Sequence, residues 1–248
     1  MDGKATTGVS HDAGLRYMSR RRALAVTFML AALTNALVFA FLGDTPFVFA
    51  RTTPGRSERA ALAIRDREHP FVQWGSRLFT ERYLSKYYAE YWYITETRRG
   101  AGKEAFTKAL KHALDAYPNV DLYLLAHTNE YIDWVRSFPE SSRRRVRFVY
   151  NTGCFNEPQG PDWLALGAES YIGHPGQSES PYFYVFLLRY WTRGATLAEA
   201  LEIGNRRMER IFRQLEFASP KRFNAKALMH ESVASCVGNG TLRLEDMQ

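Results

Sequence analysis

Cysteine is scarce in this sequence: its 248 residues contain only Cys154 and Cys236. Two thiols are too few for a disulfide scaffold or a four-cysteine zinc site. No internal repeat or low-complexity stretch is present either, which excludes a repeat array. Recognised metal-ligand spacing is also missing. His127, Glu130 and His174 are a conceivable set, but no pair among them has it. Arg98-Arg99-Gly100-Ala101-Gly102-Lys103 superficially resembles a phosphate-binding loop, but Thr97 stands where a glycine is needed and Glu104 where serine or threonine is needed. That stretch reads as a Gly-rich turn into a helix. No metal and no cofactor are expected.

What is present is ordinary globular material, 46% hydrophobic and 24% charged, enough for one full-sized domain. The net charge of +7 would permit contact with nucleic acid or an anionic membrane. The arginines are scattered, however, and no RNA-binding or zinc-finger pattern accompanies them, so no nucleic-acid partner is expected.

The first 58 residues divide into a basic segment (1–22), an apolar run (23–42) and a polar linker (43–58). Ala23 to Leu42 carries no charge over 20 residues and follows Arg20-Arg21-Arg22, as a signal peptide or a signal anchor does. Small residues at Val48 and Ala50 favour cleavage, and the length of the run favours retention as one transmembrane helix; a buried core helix is the bland alternative. The expected location is the cell envelope, with membrane contact through this segment and the domain outside the cytoplasm.

From residue 59 to 248 strand and helix patterns alternate. Ala60 to Ile64 reads as the first strand, with Phe47 to Ala50 as competitor, and a helical spacing runs from Phe71 to Leu84. Tyr87 to Thr95 reads as the second strand, Lys103 to Tyr117 as a helix stopped by Pro118-Asn119, and Asp121 to Ala126 as the third strand. Val146 to Tyr150 is the fourth and Ser170 to Ile172 the fifth. Short helices are expected at Trp163 to Leu166, and longer ones from Pro181 to about Thr192 and, capped by Thr196, from Leu197 to about Arg213. The nearly continuous apolar strands indicate burial on both faces. The expected fold is α/β, a doubly wound, mostly parallel sheet sandwiched by helices and preceded by one hydrophobic helix.

His127 and Cys154 each follow such a strand. In an open parallel sheet the strand ends of one polarity share an edge, so these two residues, 27 positions apart (154 − 127), are expected to meet there. A cysteine beside a histidine is the minimum for thiol catalysis, and a helix N-terminus following Cys154 would favour the thiolate further. The bland readings remain beside this one: a buried structural cysteine, and a turn histidine at His174, the rival base. Ser178 and Ser180 read as turn and cap residues.

Asp121-Leu122-Tyr123-Leu124-Leu125-Ala126-His127 and Phe148-Val149-Tyr150-Asn151-Thr152-Gly153-Cys154 resemble the apolar strands that end in histidine and in the nucleophile in the caspase-hemoglobinase superfamily of cysteine peptidases. Leu164-Ala165-Leu166-Gly167-Ala168, Arg193 to Leu201, and Val237-Gly238-Asn239-Gly240-Thr241-Leu242-Arg243-Leu244 are similar to later segments of its bacterial CHAT and gingipain-like members. The resemblance covers about Ala60 to Leu244. It implies a caspase-like domain that hydrolyses peptide bonds of a peptide or protein substrate. Cys154 would be the nucleophile, His127 the acid or base, and the backbone amides of Thr128 and Cys154 the oxyanion donors. Thr128 stands where that family usually has glycine, and Asn239 and Gly240 replace its Asp and Pro. An inactive caspase-like binding or scaffold module is the alternative these departures allow.

Overall fold

A computed structural model describes residues 54–66, 70–178 and 180–246. The basic segment, the apolar run 23–42 and the competing strand at Phe47 to Ala50 lie outside the described residues. Among the described residues no helix is long and apolar enough to cross a membrane.

Five strands run parallel: Arg59–Arg65 (β1), Glu90–Thr95 (β2), Asn119–Leu125 (β3), Val146–Asn151 (β4) and Ser170–Gly173 (β5). A sixth, Ser235–Gly238 (β6), lies antiparallel beside β5, and the order across the sheet is β2-β1-β3-β4-β5-β6. The helices are Pro70–Tyr87 (α1), Lys103–Ala116 (α2), Glu130–Arg136 (α3), Glu140–Arg143 (α4), Gly160–Ala165 (α5), Ser180–Trp191 (α6), Leu197–Ala218 (α7) and Ala225–Ser232 (α8).

The chain moves to one side of β1 to make β2, then back past β1 to make β3, β4 and β5. Parallel crossovers are right-handed, so reversing direction moves the connecting helix to the other face. Accordingly α2, α3 and α5 share one face, where Ala60, Leu62 and Ile64 of β1 meet Phe106, Leu110, Trp134 and Trp163. Helix α1 packs with α6, and α6 with α7, on the opposite face, where Phe148 meets Trp191 and Tyr123 meets Tyr184. With both faces covered, β1, β3, β4 and β5 are buried throughout.

Several boundaries differ from the sequence reading, each for a local reason. Tyr87 ends α1 rather than opening β2, and buried Tyr88 donates its hydroxyl to Asp121 at 2.6 Å: the aromatic density there fills the core below the sheet. Helix α7 opens with a full capping box, Glu199 N–H to Thr196 Oγ1 at 3.2 Å and Thr196 N–H to Glu199 Oε2 at 2.8 Å. It then continues past Arg213 to Ala218, supported by the Arg213–Glu209 pair at 2.6 Å, because no breaker occurs before Pro220. The helices α4 and α8 and the strand β6 have no counterpart in the sequence reading.

At the amino end of the strands lies a buried polar cluster. Arg147 holds Asp121 with both nitrogens of its fork, Nε at 3.1 Å and Nη2 at 2.7 Å, and donates to the carbonyl of Leu244 at 3.1 Å. Arg59 donates to the same carbonyl at 2.7 Å. Residues 243–246 are thereby tied beneath the first, third and fourth strands, at the end of the sheet opposite His127 and Cys154.

Candidate active site

The strand order reverses between β1 and β3, and in open parallel sheets the crevice outside the carboxyl ends at such a point is where ligands bind. Asp66 follows β1 there, His127 comes two residues after β3, and Cys154 sits in the turn after the neighbouring β4.

Asn151, the last residue of β4, fixes the two strand ends against each other. Its buried side-chain oxygen accepts the amides of Ala126 at 3.1 Å and of Gly153 at 2.9 Å, and its nitrogen donates to the Ala126 carbonyl at 3.2 Å. Gly153 then runs so close to β3 that a β-carbon on it would stand 2.0 Å from the Ala126 oxygen. Only glycine fits this approach. It sets Cys154 beside the residue that follows Ala126, which is His127.

The imidazole is held from behind. Asp66 Oδ2 accepts the His127 backbone amide at 2.8 Å and Nδ1–H at 2.9 Å. With Nδ1 so engaged, Nε2 serves the side-chain hydrogen bond between His127 and Cys154. The hydrogen bond to Asp66 raises the His127 pKa from an ordinary 6.5 to about 10, the bond to Cys154 adds to it, and partial burial opposes both. His127 therefore carries its proton at neutral pH. Its side chain is 34% exposed and that of Asp66 16%, so the imidazole is open to a ligand while its carboxylate partner is largely shielded.

The structure brings the two expected residues together and adds a third, Asp66, that the sequence reading passed over. The signal was the same in kind, a polar residue directly after an apolar strand, but Asp66 lies inside the charged run Arg65-Asp66-Arg67-Glu68, which reads as solvated surface. One expectation is corrected. Cys154 does not enter a helix: it lies in a turn, followed by a single 3-10 turn at Glu157–Gln159 and the six-residue α5. Its electrostatic partner is the His127 imidazolium rather than a helix dipole.

Thr128 has a negative φ, so the turn after the histidine does not need glycine. Its hydroxyl donates to Glu130 Oε1 at 3.1 Å, and Glu130 also pairs with Arg99 at 3.6 Å. Among the described residues the Thr128 amide donates to no protein acceptor. The rival base, His174, is fully buried against Phe183 and Tyr150, and its Nδ1–H donates to the Ser232 carbonyl at 2.8 Å. Burial lowers its pKa to about 4, which keeps it neutral and inside the core. Ser178 is a loop clamp, its hydroxyl donating to the Thr152 carbonyl. Neither Cys154 nor Cys236 is in a disulfide, and burial pushes the Cys236 thiol up to about 11. Among the described residues no three His, Cys, Asp or Glu side chains converge to hold a metal.

Comparison with protein-family models, curated proteins and solved structures finds no match to this chain.

Proposed function

We propose that this protein is a caspase-like cysteine peptidase, in which Cys154 is the nucleophile, His127 the acid and base, and Asp66 the group that orients and charges the imidazole. The observation that carries this reading is the continuous contact from the Asp66 carboxylate through the His127 ring to the Cys154 thiol, at the switch point of a mostly parallel sheet.

The thiolate attacks the carbonyl carbon of the scissile bond, and the oxyanion forms within reach of the Thr128 and Cys154 amides. The carbon–nitrogen bond breaks as His127 passes its Nε2 proton to the departing amine. A water molecule then attacks the thioester, His127 takes its proton, and the acid leaves as the thiolate is restored. The Thr128 amide, which donates to no acceptor among the described residues, supports its assignment as one oxyanion donor, and the open imidazole supports access by a peptide. The segment 23–42 is proposed to direct the domain to the cell envelope.

A thiol-directed peptidyl probe should label Cys154, and labelling should vanish in Cys154→Ala and fall strongly in His127→Ala. Folded protein that takes up no probe and cleaves no peptide would favour a caspase-like binding or scaffold module instead. Turnover of small esters or amides without any peptide cleavage would point to a thiol hydrolase of another class.

A further inference from the structure

Phe155, directly after the proposed nucleophile, is the one non-glycine residue with positive φ among those described, at 55°. An L-residue in this left-handed region carries a steric cost that glycine escapes and asparagine or aspartate largely avoid. The conformation is imposed by its surroundings. The Phe155 amide donates to the Gly176 carbonyl at 2.9 Å. Next to it, Asn156 is buried and donates from its side chain to the Gly153 carbonyl at 2.7 Å and the Asn151 carbonyl at 3.2 Å, while its Oδ1 accepts the His174 amide at 2.9 Å. The backbone at 155 cannot relax without breaking these bonds.

A phenylalanine at such a position would be explained if its ring filled the core, but the residue is 65% exposed. The free protein thus bears both a strained backbone and a solvated aromatic ring, and the fold gains nothing from either. Strain held in place by a bonded frame beside a reactive thiol is the arrangement expected of a binding surface.

Its position gives the side. Along the sheet edge the order is Asp66 after β1, His127 after β3, Cys154 after β4, and Phe155 tied to Gly176 in the loop after β5. The leaving amine must take its proton from His127 and therefore lies toward β3, which directs the acyl portion toward β5. We infer that Phe155 forms a specificity subsite for an apolar side chain, aliphatic or aromatic, on the acyl side of the scissile bond. The subsite rests on the peptidase reading above.

The test uses a panel of peptidyl aminocoumarin amides that differ only in the acyl-side residue, apolar (Leu, Phe) against polar (Ser, Asn). In Phe155→Ala the preference for apolar over polar substrates should drop by about 10-fold, through KM far more than kcat, the scale of a lost apolar contact. Phe155→Gly should show the same drop while keeping its thermal midpoint, since glycine accepts the positive φ; it therefore reports the ring even if the alanine variant folds poorly. Phe155→Leu should retain the preference. If both truncated variants still label at Cys154 and keep the wild-type preference ratio, the subsite is overturned alone. If the unaltered protein neither labels at Cys154 nor cleaves any substrate of the panel, the peptidase reading fails and the subsite with it.

Discussion

A single oxygen, Oδ2 of Asp66, accepts both the backbone amide and the Nδ1–H of His127, at 2.8 and 2.9 Å. One carboxylate therefore fixes the place of the residue and the tautomer of its ring together. Replacing it with an amide separates charge from shape. In Asp66→Asn the imidazolium should lose its proton well below about 10, since the largest of the interactions that hold it is gone while the bond to Cys154 remains. On the proposed peptidase reading, efficiency near neutral pH should fall on the order of 100-fold, the usual scale of positioned acid–base assistance. The alkylation rate of Cys154, followed against pH, checks this; an unaltered pH profile in the variant would remove Asp66 from the site.

Two histidines shape stability against pH in opposite directions. Folded His127 keeps its proton to about 10, while the unfolded chain releases it near 6.5. Its contribution is therefore complete below about 6.5 and is lost as pH climbs through that window, with Asp66 and Cys154 as the charged groups facing it. His174 is the reverse: the unfolded chain takes up a proton near 6.5 and the folded one only near 4, so stability drains as pH falls between them. Urea midpoints measured across about pH 4 to 10 should show His127→Gln flattening the alkaline limb only and His174→Asn the acid limb only. An alkaline limb that survives His127→Gln would contradict the first assignment.

Gly153→Ala puts a β-carbon 2.0 Å from the Ala126 oxygen, so the ends of β3 and β4 must separate. A loss on the order of 2–4 kcal/mol is expected, with Cys154 reactivity falling even where the protein stays folded. Gly204→Ala is the control, because its nearest neighbour would be Phe186 Cβ at an ordinary 3.5 Å in mid-helix, and it should leave stability unchanged or slightly raised. Equal behaviour of the two variants would show that the strand ends do not approach as described.

Asp121→Ala should destabilise by about 3–5 kcal/mol, since it strands the fully buried Arg147 guanidinium without its carboxylate. The double variant Asp121→Leu with Arg147→Met should recover much of that loss, because an apolar pair carries no uncompensated charge. Chemical denaturation measures both, and a double variant no better than the single one would mean that the cost lies in the hydrogen bonds to residues 244 and 246.

Much of this architecture was legible in the sequence because buried parallel strands are apolar on both faces. Leu122 to Ala126 and Phe148 to Tyr150 stand out as short runs, and the first reactive residues beyond them, His127 and Cys154, could be placed on one edge before any coordinates. The third member could not. Asp66 is one carboxylate in a charged run, and what distinguishes it is a contact across 61 positions of sequence. β6 escaped for a similar reason: three of its four residues are only half-buried, Gly238 is exposed, and they pair with β5 from far along the chain, so neither apolarity nor local period marks them. The end of α7 was misplaced because helix propensity without a breaker carries it beyond its apolar face.

The cluster at the amino end of the strands also bears on the order of assembly. Arg59 begins the first strand, yet the Leu244 carbonyl that receives its guanidinium lies 185 positions later, and Arg147 waits for the same group. A chain emerging in sequence from the ribosome can lay down β1, β3 and β4, with Arg147 already paired to Asp121 and Cys154 already outside, but both buried cations lack the Leu244 carbonyl they share until residue 244 follows. The sheet that sets the thiol against the imidazole is thus locked from its far end, after nearly all of the domain has been synthesised.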